Sequence, residues 1–482
     1  PFAVFANFAR TNLFKRIGFF TTHHTIKRNL NKERTMSTNK SGFSRRMFLG
    51  GATAAAGVFA LSCGKKGEQA GQAPAGGAAA TDVKVTVLDK APDGPELKAG
   101  LIGCGGRGTG AAQDFLGAGP NLKIVALGDV FSDRVENAVK TIKEKFNQDV
   151  PADKCFTGFD AFQKVIDAGV DVVLLATPPH FRPQHFAAAV AAGKHVFMEK
   201  PVAVDPVGIK QVIEAAGQAK TKNLCVVTGT QRHHQREYME IYRRVKEGAI
   251  GEIVAARAYW NQNKLWHRER DPKWSDMEWM VRDWVNWRWL SGDHIVEQHV
   301  HNLDVINWFT GSHPVKAVGM GGRARRVTGD QFDFFSVDFE FENGMHCMSM
   351  CRQVNDCANN VSEFIVGTKG STNCADTIYN PDGSIAFQVP KEAKGKPYQQ
   401  EHIDFVTAIR QSQPLNEAEA TAISTMGAIM GRESAYSGAE KTWQEMMDSD
   451  LKLGPAEYKL GKADLKAVIP VPGSEWKPEK KK

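Results

Sequence analysis

The sequence predicts an α/β fold whose N-terminal half is a doubly wound parallel sheet. Three features carry that prediction. Short apolar runs alternate with helical patterns from residue 97 to 230. A glycine-rich turn directly follows the first run. The second run ends in an acid, Asp129.

Leu97–Ile102 reads as the first strand, and Gly103-Cys104-Gly105-Gly106-Arg107-Gly108 follows at once. A helix is expected from about Thr109 to Leu116, then a second strand over Leu122–Gly128. This is G-x-G-x-x-G between a strand and a helix, with an acid 21 residues past Gly108, the arrangement of a dinucleotide site. Gly103 permits the tight turn, Gly105 lets the backbone approach a pyrophosphate, and Gly108 allows close helix–strand packing. The loop as a whole, Gly106 and Arg107 included, is assigned to the cofactor, with the helix N-terminus facing the phosphates. Asp129 would accept hydrogen bonds from ribose hydroxyls and repel a 2′-phosphate, so NAD is favoured over NADP. Arg134 is the nearby cation that keeps NADP in view. Further strands are expected at Asp171–Ala176, His195–Met198 and Leu224–Thr228, and helices at Pro183–Ala192 and Pro206–Ala219.

Ala176-Thr177-Pro178-Pro179 ends one strand, and Ala192-Gly193-Lys194-His195-Val196-Phe197-Met198-Glu199-Lys200-Pro201 ends the next. With the glycine loop, these strings resemble the Gfo/Idh/MocA oxidoreductases, the family of glucose–fructose oxidoreductase and inositol dehydrogenase. The resemblance covers roughly residues 97–440. It implies a Rossmann domain followed by an α/β domain with a large, open, mostly antiparallel sheet, often used to build a homo-oligomer. The strand-like runs Pro314–Gly321, Phe332–Glu342, Met345–Arg352 and Ser362–Gly367 agree, with Asn343-Gly344 as a turn between two of them. Glu401–Arg410 and Glu417–Tyr436 read as closing helices. The resemblance adds Thr177, Pro178, Glu199 and Lys200 to the cofactor site.

Lys200 follows a strand C-terminus, where ligands sit in such sheets. The resemblance implies that it points at the reacting hydroxyl, where an ammonium stabilises alkoxide character. A second constellation runs from Gly292 to Asp304, against a family pattern G-G-x-x-x-D-x-x-x-H-x-x-D. His301 and Asp304 match its last two positions, and Glu297 stands where the family usually has Asp. Val296, Val300 and Leu303 recur at helical spacing, so one helix is expected to present Glu297, His301 and Asp304 on a neighbouring face. His301 is the expected proton acceptor, an imidazole titrating near neutral pH, with Glu297 as the alternative base. His294, Glu297, His299 and His301 also invite a metal reading. However, no H-E-x-x-H or C-x-x-C occurs, and no metal is expected.

Eight of the ten tryptophans lie between Trp260 and Trp308, a density that suits stacking on sugar rings. Arg232, Trp260, Asn261 and Asp304 are the expected substrate contacts. Arg232 lies just after the last parallel strand, at the domain crossing.

The net charge of +7 belongs to one end of the chain. Residues 1–66 hold 12 Lys/Arg and one acid, and the remainder is slightly acidic, so no nucleic-acid partner is expected. Met36 reads as a start, and Ser44-Arg45-Arg46-Met47-Phe48-Leu49 before an apolar run matches a twin-arginine export signal. Cys63 is a candidate lipid anchor, and residues 64–81 form a small, polar tether. The other seven cysteines are an odd set, which suits no disulfide framework. The expected organisation is 1–63 extension and signal, 64–95 linker, 96–230 dinucleotide domain, 231–440 substrate and oligomerisation domain, and 441–482 C-terminal extension. The expected location is the periplasm or the outer surface of a membrane.

The resemblance implies an NAD-dependent oxidoreductase acting on a CH–OH group of a sugar, glycoside or cyclitol. A redox-neutral, NAD-dependent glycosidase of the same fold is the alternative, because hydride transfer begins both reactions. An exported sugar-binding protein on a degenerate dehydrogenase fold is the non-enzyme alternative, against which Asp129, Lys200 and His301 argue.

Overall fold

The computed structural model describes residues 87–463 and 467–473. The export signal, Cys63 and the tether lie outside the described residues. No helix among the described residues is long and apolar enough to cross a membrane.

Six parallel strands form the first sheet: β1 (Leu97–Ile102), β2 (Leu122–Asp129), β3 (Cys155–Thr157), β4 (Val172–Leu175), β5 (His195–Met198) and β6 (Val226–Thr228). Their order is β3-β2-β1-β4-β5-β6. All four residues of β4 are buried, which is why it reads as an unbroken apolar run. Helices α1 (Gly106–Gly117) and α2 (Ser132–Phe146) contribute to the core on one face of this sheet. Helices α3 (Ala161–Asp167), α4 (Arg182–Ala191) and α5 (Pro206–Thr221) contribute to the core on the other. The strand order reverses between β1 and β4, so a crevice opens beyond their C-terminal ends.

The chain crosses into the second region through helix α6 (Arg236–Lys246). Nine strands make the second sheet: β7 (Ile253–Gln262), β8 (Pro314–Gly322), β9 (Phe334–Phe341), β10 (His346–Gln353), β11 (Asn360–Gly367), β12 (Ser371–Thr372), β13 (Thr377–Tyr379), β14 (Ile385–Gln388) and β15 (Lys441–Thr442). Only the β7–β10 pairing is parallel. The long central strand β7, unassigned from sequence, holds β10 on one side and β11 on the other. Strands β9 and β10 alternate cleanly: Phe335, Val337 and Phe339 point inward with Cys347 and Cys351, while Met348, Met350 and Phe334 point out. Between β7 and β8 lie α7 (Asp276–Arg282), α8 (Arg288–Ser291), α9 (His294–Glu297) and α10 (Val300–Thr310). After β14 come α11 (Pro397–Arg410), α12 (Ala418–Ser437) and α13 (Trp443–Asp448).

Two findings revise the expected organisation. Helix α11 belongs to the first sheet, not the second. Its Ile403, Phe405 and Val406 join Ala111, Phe115 and Leu101 in one core, and the Val226 N–H donates to the Leu415 carbonyl at 2.7 Å. The segment after 440 is no plain extension, because β15 pairs with β8 and residues 453–463 pack back on the body. The seven described cysteines are unpaired, and five of them are buried.

Candidate active site

A cleft of about 700 Å³ lies at the reversal point. Of the residues assigned from sequence, Gly103, Gly105, Asp129, Arg134, Thr177 and Pro178 line it. Gly103 has φ 96°, and a Cβ there would lie 2.6 Å from the carbonyl carbon of Ala176. Only glycine allows that left-handed turn against the end of β4. Gly108 presses its Cα on the Gly103 carbonyl, so a side chain has no room there.

Asp129 sits at the end of β2 with each carboxylate oxygen accepting one backbone N–H, from Cys104 at 2.7 Å and Phe131 at 3.0 Å. A carboxylate offers about four lone-pair sites, so each oxygen keeps capacity for a ribose hydroxyl. Burial raises its pKa, opposed by those two N–H groups. Glycine loop, helix N-terminus and oriented acid thus fit a dinucleotide.

Arg107 and Glu199 do not line this cleft. The Arg107 Nε donates to Glu199, its Nη2 donates to Glu401 Oε1 at 2.7 Å, and its guanidinium lies 4.8 Å from the Tyr398 ring centroid. The assignment of Arg107 to phosphates meets this interior carboxylate pair instead. Gly106 begins α1 with open space around its Cα.

Lys200 is buried just beyond β5. Its Nζ donates to the Glu297 backbone carbonyl at 2.5 Å and to Glu297 Oε1 at 3.2 Å. The first bond depends on a break that the sequence reading missed. Helical spacing predicts one helix through Glu297, His301 and Asp304, but α9 ends at Glu297 and α10 starts at Val300. In a continuous helix the His301 N–H would take the Glu297 carbonyl. Here that N–H turns to Gln298 O at 3.3 Å, and the freed carbonyl holds the ammonium. The Gln298 side chain donates to the other Glu297 oxygen, so this carboxylate acts as counter-charge.

His301 stacks on Trp260, with ring centroids 5.6 Å apart and planes at 22°. Among the described residues its ring nitrogens take no hydrogen-bond partner. Burial first, then the charges of Lys200, Arg232 and Arg107, hold its pKa well below the usual imidazole value. The expectation of titration near neutral pH is therefore corrected: His301 is a neutral acceptor over the whole neutral range.

The expected substrate contacts divide. Trp260 shares the inner face of β7 with Ala256 and Ala258, but Asn261 is the next residue and points to the opposite face. The Arg232 guanidinium lies 5.8 Å from the Trp260 ring centroid, donating to Glu363 and to Asn302 Oδ1 at 3.1 Å. Asp304 is buried against His233, with 2.7 Å between Oδ2 and Nε2. Arg232 and Trp260 thus stand beside His301, whereas Asn261 is turned away. The tryptophans mostly build structure: Trp287 and Trp289 are core, Trp284 lines the cleft, and Trp266 is exposed. Sequence reasoning also missed Phe131, Phe159, Phe181 and Val281 in the cleft wall. No local pattern marks them.

The buried imidazoles carry a stability prediction. Burial lowers His180 to about 4, and His185 and His299 to about 3. His301 and His402 are also held low by burial. Each stays neutral when folded but takes a proton when unfolded below about 6.5. Their stabilisation is present above that pH and lost as pH falls toward the folded values, by up to about 1.4 kcal/mol per pH unit for each group. His234 acts oppositely: burial opposes its charge, but Glu417 and Asp404 win and raise it. Glu363 and Glu401, raised by burial, offset a further part. The expected result is a urea midpoint that falls from pH 7 to pH 5. A midpoint that holds or rises would refute the assignment of neutral buried imidazoles.

Comparison with known proteins agrees with this geometry. Residues 97–234 match the family model described as oxidoreductase family, NAD-binding Rossmann fold, and residues 238–373 match the GFO/IDH/MocA C-terminal domain. The chain is 20% identical over 284 residues to scyllo-inositol 2-dehydrogenase (NAD(+)) of Bacillus subtilis, covering 57% of this chain and 73% of that protein. It is 29% identical over 237 residues to glycosyl hydrolase family 109 protein 2 of Shewanella sp., covering 48% of this chain and about half (49%) of that protein. In fold it resembles the crystal structure of scyllo-inositol dehydrogenase from Lactobacillus casei with bound NAD(H) and scyllo-inositol. The TM-score is 0.56 at 22% identity, covering 72% of this chain and 99% of that one. With both domain models matched in order on the two sheets described, the chain belongs to the Gfo/Idh/MocA oxidoreductases, and its N-terminal domain is an NAD-binding Rossmann domain.

Proposed function

We propose that this oxidoreductase removes hydride from a secondary alcohol carbon of a cyclitol, sugar or glycoside. The carrying observation is the buried Lys200–Glu297 pair, with His301 close enough to feel the Lys200 charge while its ring nitrogens are unpartnered. Two contacts to Glu297 orient the Lys200 ammonium, which leaves a third N–H for the substrate oxygen. Its positive charge stabilises alkoxide character on that oxygen. The His301 imidazole accepts the hydroxyl proton, and the lowered pKa keeps it ready to do so. NAD, which the glycine turn at residues 103–108 and Asp129 would hold, would supply the hydride acceptor. Trp260 offers an apolar surface beside His301, and Arg232 a cation, which together suit a polyhydroxylated ring. The names of the inositol dehydrogenase relatives support the cyclitol end of this range.

The glycosyl hydrolase relative favours a second reading, in which the hydride returns to the substrate after the glycosidic bond is cleaved. NAD-loaded protein offered cyclitols, free sugars and glycosides separates the two. Stoichiometric NADH with a ketone product supports net oxidation. Glycoside cleavage without net NADH supports the second reading, and no turnover on any panel member would sink both.

The exposed outer face of the second sheet, with Met320, Val318, Met348 and Phe334, supports a homo-oligomer built on that face. The leader sequence supports work outside the cytoplasm, with Cys63 as a lipid anchor.

A further inference from the structure

The cleft has a wall that the dinucleotide domain does not supply. Val281 of α7 and Trp284 just after it line the space beside Phe131 and Arg134. Two sets of contacts pin them there. In front, Arg282 donates to both oxygens of Asp133, at 2.9 and 3.1 Å, and its guanidinium lies 3.9 Å from the Phe131 ring centroid. Asp133 is in the first turn of α2, four residues past Asp129, so this bridge stands at the ribose end of the cleft.

Behind α7 runs the C-terminal segment. The Met277 N–H donates to the Gly461 carbonyl at 3.1 Å, and the Gly461 N–H donates to Ser275 Oγ at 3.1 Å. Tyr458 packs its ring on Phe159 and Phe181, both cleft-wall residues, at 6.0 and 5.4 Å between centroids. Its hydroxyl lies 2.7 Å from Nε2 of His180. Burial holds His180 neutral, so the tyrosine O–H can donate to that nitrogen. The segment thus braces two cleft-wall phenylalanines and the start of α7 together.

We infer that α7 and the strap 453–463 form a clasp, pinned by Arg282–Asp133 in front and Tyr458–His180 behind, that gates passage of NAD(H) at its ribose end. The inference rests on the NAD-binding reading and goes beyond it, because it assigns the rate of cofactor exchange to residues outside the dinucleotide motif. A gate differs from a binding contact in kinetics. Weakening a gate speeds entry and exit together and leaves Kd nearly unchanged. Losing a contact speeds exit alone.

The test uses the full chain and NADH, followed by energy transfer from the tryptophans in stopped flow, with an NAD chase for release. Arg282→Ala should raise both association and dissociation rates about tenfold, while Kd changes less than about threefold. Tyr458→Phe keeps the ring, loses only the hydroxyl, and should shift both rates in the same direction by a smaller factor. It also carries the test if Arg282→Ala fails to fold. Unchanged rates in Tyr458→Phe and in folded Arg282→Ala would overturn the clasp, as would a rise in dissociation alone. If the wild-type chain takes up no NADH, the NAD reading beneath the clasp fails, a result distinct from both.

Discussion

Lys200→Met should lower kcat by about 10²–10³, the loss expected when a preorganised charge no longer meets a developing oxyanion. Methionine keeps the length and apolar stem, so packing survives while the ammonium is removed. NADH affinity should change little, because the ammonium donates to Glu297 and not to the glycine turn or Asp129. A second readout separates this from a folding defect. The Lys200 charge is one of the causes that hold His301 low, so its removal should move the acid limb of kcat/KM to higher pH. His301→Ala should cost about 10²–10⁴ in turnover and abolish that limb. Near-wild-type turnover in His301→Ala would transfer the base role to Glu297.

Gly108→Ala should cost the chain its cofactor cradle. The added methyl would fall on the Gly103 carbonyl oxygen, in backbone that is itself fixed against β4. Overpacking of this kind costs about 1–3 kcal/mol, and the turn must shift to relieve it. NADH affinity should fall by about tenfold or more, since a displacement worth 1.4 kcal/mol already does that. Gly106→Ala is the matched control. Its Cβ meets nothing within 4 Å, and its backbone is helical, so the melting temperature should hold or rise. Equal melting temperatures and equal NADH affinities in the two variants would refute the steric argument.

Much of the first sheet is legible in the sequence because burial on both faces forces unbroken apolar runs. β1 and β5 are recovered to the residue, and β4 within one residue at each end. β7 escapes notice because it lacks period-two alternation, carries three alanines of low strand propensity, and ends in Trp260, Asn261 and Gln262. The break after Glu297 is hidden because Val296, Val300 and Leu303 keep helical spacing across it. Arg107 is misassigned for a different reason: its partner Glu401 lies 294 residues away, beyond any local pattern. Lys200, Glu297 and His301 were found through motif resemblance, but the bond that joins the first two depends on tertiary contact. The strap is not legible because Gly454, Pro455 and Gly461 interrupt any helical or strand period.

The order in which strands find partners bears on how the chain reaches its native state. Strand β7 waits for β10 and β11, which begin only at His346 and Asn360. The first sheet waits longer, since α11 covers one face and Leu415 closes the edge at β6. A nascent chain that has reached Thr228 therefore carries an open sheet edge and an apolar face that α1 and α2 cover only in part. Long sequence separation between partners slows folding and prolongs the lifetime of such aggregation-prone states. The C-terminal third thus completes this core, and residues 96–230 alone would lack the Ile403, Phe405 and Val406 side chains that pack with Phe115 and Leu101.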